Sequence, residues 1–271
     1  MTFSPTFILL QQEAYLARGA LSAGLTAMRN ATFPDKEAFY SGFFNTSIAF
    51  ERIMKLIVIA NHMLQHSFNS PTKMALKACG HDLVSLYASS VSAAASVGVK
   101  DVNMPASGSI EHQILKFLSD FAKSTRYYNL DSLAIAPTIS KDPLAEWGII
   151  LNNISSQDVP KPKMQAQLAQ AQLVHDLVAD KVMAIQHGMD GKLLSLPQVF
   201  SLPVAHALVA PYAMVRIFNL LTPLLETINE LGDKTFYGSP QSTGPQVPLF
   251  NEFFVHFGGS PAEIRRKKRW P

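Results

Sequence analysis

Helical periodicity runs through almost the whole chain and constrains the fold more than any other feature of the sequence. Between residues 39 and 64 the apolar side chains recur at three- and four-residue steps, with Glu51, Arg52 and Lys55 between them, which is typical of a core-facing helix. Similar patterns predict helices over residues 7–28, 81–95, 110–121, 143–151, 164–186 and 197–232. No segment shows convincing strand alternation, so the sequence predicts an all-α protein.

Capping and helix-breaking residues predict several helix boundaries. Ser70-Pro71 is typical of a helix start, and the segment Ser260-Pro261-Ala262-Glu263 fits a capping box. Gly188 and Gly232 are predicted to end the helices that precede them.

A polar segment with two prolines, SSQDVPKPK at residues 155–163, is the best candidate for an internal boundary. It predicts a helical bundle over residues 1–154 and a C-terminal helical extension with a basic tail over residues 164–271.

The composition is poor in charge and in cysteine. Of the 271 residues only 16% are charged, where about 25% is usual, and Cys79 is the single cysteine. A lone cysteine excludes a disulfide framework or a cysteine-rich zinc site and is typical of a reducing compartment. The N-terminal segment lacks the basic region and long apolar run of a secretory signal, so a cytoplasmic location is expected.

The most apolar stretch, residues 199–225, is long enough for a membrane span of about 20 residues. Against a span, the stretch contains prolines and polar groups: Pro203, His206, Pro211, Arg216, Asn219 and Pro223. Buried helices explain this pattern better, so we expect no contact with a membrane.

Three segments in the first half carry a resemblance to a known family. They are FYSGFFNTSIAFERIMKLIVIANHML (residues 39–64), KACGHDLVSLY (77–87) and FAKSTRYYNLD (121–131). In this order they resemble the HEPN superfamily of small all-α domains, over about residues 7–135. The resemblance implies a helical bundle, a homodimer and a role in prokaryotic antiviral defence, toxin–antitoxin, stress or RNA-processing systems. It also implies RNA, or a protein encoded by a neighbouring gene, as the partner.

Active HEPN ribonucleases resemble one another in an arginine followed a few residues later by a histidine. An imidazole can move a proton near neutral pH, and a guanidinium can clamp a phosphate. No arginine in this chain has a histidine at that spacing, so no catalytic residue is assigned and a non-catalytic or divergent member is expected. Two alternatives stay open: a metal-independent endoribonuclease with displaced groups, for example Arg126 with His81, and an oligomeric scaffold that binds no nucleic acid.

The densest run of groups able to bind a phosphate or stack on a base comes near the end of the resemblance. The candidate ligand-binding residues are Arg126, Tyr127, Tyr128, Asn129 and Asp131, together with His81. The plainer alternative is that the tyrosines line the edge of the core, that Arg126 pairs with a local acid, and that His81 and Asp82 begin a helix. Glu51 and Lys55 are expected to form an ion pair on one helix face.

No metal or cofactor is expected. His62 and His66 lie four positions apart, but no third ligand is near them in sequence. The chain also has no Gly-rich phosphate loop and no dinucleotide-binding motif.

The C-terminal segment RRKKRWP concentrates positive charge. Its cations are Arg265, Arg266, Lys267, Lys268 and Arg269, and they leave the rest of the chain slightly acidic although the net charge is +3. Such a tail favours nucleic-acid binding, although a plain solvated terminus is the alternative. Just before it, a stripe of phenylalanines at positions 250, 253, 254 and 257 is predicted to be an exposed protein interface.

Overall fold

The computed structural model describes residues 3–134, 141–240, 242 and 244–271. Over these residues the protein is a bundle of α-helices with no β-strand, which confirms the all-α prediction; the only β-type pairing is an isolated bridge between His187 and Leu193. The helices are α1 (Pro5–Asn30), α2 (Lys36–Gln65), α3 (Lys73–Ala78), α4 (Leu83–Val97), α5 (Ile110–Lys123), α6 (Tyr128–Ser132), α7 (Pro143–Asp158), α8 (Lys161–Val178), α9 (Leu196–Gly238), α10 (Asn251–Phe254) and α11 (Pro261–Arg266).

Helices α1 and α2 form a tightly packed antiparallel hairpin. A Cβ added at Gly24 would lie 2.5 Å from Thr46 Oγ1 and 2.6 Å from the Thr46 backbone nitrogen. A Cβ added at Gly42 would lie 2.5 Å from Met28 Cγ. Glycine at both positions therefore lets the two backbones approach more closely than any larger residue would permit.

Helix α9 is the central element of the bundle and packs against α2, α8, α7, α5, α4 and α11. It runs unbroken through Pro203, Pro211 and Pro223. It is long and apolar enough to cross a membrane, with a mean hydropathy of 1.5 over its most apolar window, of which 61% is buried by the rest of the protein. A mostly buried core helix has the same length and composition.

The prediction that Gly232 ends this helix is wrong, because α9 continues to Gly238. A Cβ at Gly232 would lie 3.0 Å from the backbone nitrogen of Phe250 and 3.3 Å from the carbonyl oxygen of Pro248. The glycine therefore admits a neighbouring chain segment rather than ending the helix.

Two other boundary predictions also need correction. Helix α3 is capped by Thr72, whose Oγ1 accepts a hydrogen bond from Ala75 N at 3.2 Å, so it begins after Ser70-Pro71. Helix α8 ends at Val178, well before the predicted stop at Gly188. Gly188 instead donates its N–H to the Lys192 carbonyl oxygen at 2.8 Å, inside a short bridged loop.

The polar segment at residues 155–163 is mostly helical. Helix α7 extends to Asp158 and α8 begins at Lys161, which leaves only Val159 and Pro160 as the connection. Buried apolar residues from both predicted units belong to one continuous hydrophobic core. The division into two units stays a prediction.

The phenylalanine stripe near the C-terminus is not an exposed interface. Phe250, Phe253, Phe254 and Phe257 are each at most 3% exposed, and the Phe253 ring meets the Tyr15 ring edge-on at 4.8 Å. The stripe packs inside the same chain, on α1 and α9. Apolar residues at this spacing indicate that one side of the segment is buried. The spacing does not indicate whether another protein or the rest of the same chain covers that side.

Candidate nucleic-acid interface

The C-terminal segment is docked along α1 rather than free in solvent. Ser22 Oγ donates to the Trp270 carbonyl oxygen at 2.6 Å, and the Trp270 N–H donates to Thr26 Oγ1 at 3.1 Å. One helical turn further along, Asn30 Nδ2 donates to the Lys268 carbonyl oxygen at 2.7 Å. These contacts use backbone groups of the C-terminal segment. The cationic side chains make none of these contacts with α1.

Trp270 anchors this segment in the core. Its side chain is only 4% exposed and stacks on Phe218 of α9, with ring centroids 5.9 Å apart. Burial of an aromatic ring of this size contributes several kcal/mol. The cations of residues 265–269 therefore lie on a docked segment and not on the free basic tail that the sequence predicts.

Helix α11 presents two of these cations beside α8 and α9. Ser260 Oγ accepts from the Glu263 N–H, and Glu263 Oε2 accepts from the Ser260 N–H at 2.7 Å, which confirms the predicted capping box. The capping box fixes where this short helix begins, and the last turn of the helix carries Arg265 and Arg266.

Between the three helices lies a cleft of about 370 Å³, here called the basic cleft. Its charged or aromatic lining residues are Lys163 of α8, Tyr212 of α9, and Arg265 and Arg266 of α11. The Arg265 guanidinium carbon lies 5.4 Å from the centre of the Tyr212 ring, a cation–π contact. The cleft therefore combines positive charge with a half-exposed aromatic ring.

The cations of residues 265–269 are not neutralised locally. No carboxylate of the described chain lies within 4.0 Å of any of these side-chain nitrogens, nor of Lys163 Nζ. Hydrogen bonds from Ser260, with the charge of Arg266 nearby, hold the pKa of Glu263 below its usual value. Lys267 Nζ donates to the His256 carbonyl oxygen at 2.8 Å. The surface is thus positive and open to an anionic partner.

The predicted cluster after α5 is exposed and only partly assembled. The Arg126 guanidinium carbon lies 4.9 Å from the centre of its neighbour's ring, Tyr127, so Arg126 stacks on an aromatic side chain and makes no pair with a described acid. Asn129 Nδ2 donates to the Tyr40 hydroxyl at 3.2 Å. Tyr128 is half-buried and Asp131 is exposed.

His81 lies beside Glu51 of α2. Its Nδ1 is 3.0 Å from Glu51 Oε1, and the same oxygen accepts a hydrogen bond from Lys55 Nζ at 2.7 Å, which confirms the predicted ion pair. Burial alone would raise the pKa of Glu51, but the hydrogen bonds from Lys55 and His81 hold it below its usual value. Glu51 and Lys55 are half-buried, whereas His81 pairs with Glu51 from the exposed side. Asp82 caps α4 by accepting from Val84 N and Ser85 N.

Other histidines do not assemble a metal site in the part of the chain that the structure describes. The rings of His62 and His66 stack with their centroids 4.0 Å apart. No group of three or more His, Cys, Asp or Glu side chains in the described ranges is placed to hold a metal ion.

Sequence reasoning missed the contribution of α8 and α9 to the basic cleft. In the sequence, Lys163 falls in the polar segment 155–163, and Tyr212 falls in the apolar stretch 199–225, whose pattern favours buried helices over a membrane span. Local sequence carries no signal that brings these two residues to Arg265, because the three lie on separate helices.

No protein-family model matches the chain, and neither a curated protein nor a solved structure does.

Proposed function

We propose that this protein binds single-stranded RNA through the basic cleft and the neighbouring cations of residues 265–269, as a non-catalytic or divergent HEPN-like protein of the cytoplasm. The observation that carries the proposal is the fixed and unpaired positive charge: Trp270 docks the segment while Arg266, Lys268 and Arg269 remain exposed. Phosphate contacts supply most of the affinity in sequence-independent nucleic-acid binding. A docked segment loses less conformational entropy on binding than a free tail does.

The aromatic ring in the cleft favours single strands over duplexes. Unpaired bases stack on aromatic side chains and Arg planes, while nearby cations contact the backbone. Tyr212, flanked by Arg265 and Lys163, supplies this combination within one cleft. The resemblance of residues 7–135 to HEPN domains supports the same class of partner, in a defence, toxin–antitoxin or stress system.

The test is fluorescence anisotropy with a labelled single-stranded oligouridine of about 20 nucleotides, titrated between about 50 and 200 mM salt. We expect affinity to fall steeply with salt. Substituting Arg266→Gln, Lys268→Gln and Arg269→Gln together should weaken binding by about tenfold or more and should lower the log–log salt slope by about 2. These substitutions keep the backbone groups that dock the segment, whereas deleting residues 265–271 would also remove Trp270.

The matched control removes the same number of charges elsewhere, with Lys73→Gln, Lys77→Gln and Lys100→Gln, all exposed. It should leave both affinity and slope nearly unchanged. Tyr212→Leu should weaken binding by about 1–3 kcal/mol without changing the slope, because stacking is not ionic. Absent or salt-insensitive binding, or equal losses in both triple variants, would refute the proposal and favour the scaffold or protein-partner alternatives.

A further inference from the structure

A second cavity, of about 620 Å³, lies on another side of α9, and here it is called the α7–α9 cavity. It is bounded by Phe33, by α7, by the first turns of α9 and by the bridged loop around Gly188. Pockets for small organic ligands have volumes of about 300–1,000 Å³. The α7–α9 cavity is therefore large enough for such a molecule.

His206 is the distinctive residue of this cavity. Its side chain is 8% exposed, and its ring meets the Phe39 ring edge-on at 5.1 Å. Neither ring nitrogen has a hydrogen-bond partner among the described residues, although His206 lines the cavity. The ring nitrogens are not among the fully buried side-chain atoms that lack a partner, so they are accessible from the cavity, and a molecule in the cavity can pair with them.

The burial pattern places His206 away from the cavity mouth. Phe33, Leu151 and Val209 are buried like His206, whereas Asn152 and other lining residues are exposed to solvent. A ligand that reached His206 would have most of its surface against apolar side chains.

The charge state of the residues that line the cavity favours an uncharged ligand. Burial, with a smaller effect of the Arg29 charge, lowers the pKa of His206 to about 4, so its ring is neutral at physiological pH. Among the described residues, the ionised side chains that line the cavity are Asp190 and Lys192, which pair with each other at 3.4 Å. Arg29 is not among the lining residues.

We propose that the α7–α9 cavity binds an uncharged, largely apolar small molecule whose single hydrogen-bonding group pairs with the His206 ring. The neutral imidazole offers one N–H donor and one acceptor, so a carbonyl or a hydroxyl group satisfies it. This site is separate from the basic cleft and does not depend on RNA binding.

The test uses the neutral fluorescent ketone 6-propionyl-2-dimethylaminonaphthalene as the probe, with the full-length protein. We expect saturable binding with a blue-shifted emission. Ala205→Phe, which fills the cavity from α9, should weaken binding by about tenfold or more. His206→Phe keeps an aromatic ring beside Phe39 and should weaken it about fivefold, the effect of one hydrogen bond.

The matched control for added apolar surface is Ala169→Phe on the exposed face of α8, which should bind the probe as the wild type does. In the wild-type protein, the ¹⁵N shifts of the His206 ring should move when the probe is added, and this measurement requires no variant. Unsaturable binding, unchanged ¹⁵N shifts, or equal affinity in Ala205→Phe and Ala169→Phe would overturn the proposal. Tighter binding of the anionic dye 1-anilinonaphthalene-8-sulfonate than of the ketone would overturn the assignment of an uncharged ligand.

Discussion

Arg216 makes a two-pronged ion pair with Asp158, with Nε 2.7 Å from Oδ2 and Nη2 2.6 Å from Oδ1. Its third nitrogen, Nη1, donates to Glu111 Oε1 at 2.8 Å, so one guanidinium joins α9 to both α7 and α5. The hydrogen bonds that Arg216 donates to Asp158 raise the pKa of Arg216. The three side chains are between 17% and 22% exposed, so solvent screens the pairs only in part.

Breaking this contact should destabilise the fold. We expect Arg216→Met to lower the free energy of unfolding by about 2–3 kcal/mol, because it leaves the half-buried Asp158 carboxylate without its partner and leaves Glu111 without its cation, although Asn219 Nδ2 still donates to Glu111 Oε1 at 2.8 Å. Arg216→Lys should lose about 1–2 kcal/mol, since one ammonium cannot reproduce the planar fork. Urea denaturation measures both values.

The control is Arg52→Met, which removes the partner of Glu13 in a more exposed ion pair. That pair should contribute less than about 1 kcal/mol. If Arg52→Met lowered the free energy of unfolding as much as Arg216→Met, the loss would come from removing an arginine side chain in general. It would not come from the contacts of Arg216 with Asp158 and Glu111.

Two glycines of α1 should respond in opposite directions to alanine. Gly24→Ala places a methyl group against the Thr46 backbone, which cannot move without shifting α2, and should cost about 1–3 kcal/mol. Gly19→Ala meets no atom within 4 Å and should gain about 0.5–1 kcal/mol from helix propensity. Thermal unfolding followed by circular dichroism measures both, and a loss at Gly19 would contradict the packing argument.

The helices were predictable wherever the signal was local. The apolar spacing that defines α2, and the capping side chains Asp82, Ser109 and Ser260, act within a few residues of the positions they fix. The prediction for Gly232 is wrong because the atoms that approach it belong to Phe250 and Pro248, on a different segment. A glycine that ends a helix and one that admits a neighbour look alike in sequence.

For the candidate sites too, the sequence predicts the residues but not their long-range contacts. The charge of residues 265–269 was visible in sequence, but its docking was not, because the contacts to Ser22 and Thr26 join opposite ends of the chain. Arg216 stood out as a lone charge in an apolar stretch, yet its acidic partners lie on α5 and α7. Sequence pattern identifies such groups, and only the tertiary structure identifies what they contact.

Trp270 should tolerate phenylalanine far better than alanine. Its Nε1 has no hydrogen-bond partner in the described chain although it is buried, so Trp270→Phe loses packing volume but no hydrogen bond. We expect a cost of about 1 kcal/mol for Trp270→Phe and about 3–5 kcal/mol for Trp270→Ala. Trypsin should cut after residues 265–269 much faster in the alanine variant, because the docked segment then separates from α1. Equal cleavage rates in both variants would show that the ring does not anchor the segment.

His206 should make the protein less stable in acid. Its pKa is about 4 in the folded protein and about 6.5 in an unfolded chain. Between these pH values the unfolded state binds a proton that the folded state does not bind. The stability that depends on a neutral His206 is therefore complete above about pH 6.5 and is lost as the pH falls towards 4, by up to about 3 kcal/mol.

His206→Phe isolates this effect from that of the carboxylates. The buried ring of phenylalanine cannot be protonated, so the variant should lose less stability than the wild type between about pH 6.5 and 4. Glu51, Asp82 and Glu111, whose pKa values are held low by their partners, reduce stability in both proteins at still lower pH. Urea denaturation at a series of pH values gives the difference, and parallel pH profiles for the two proteins would show that His206 is solvated or already paired.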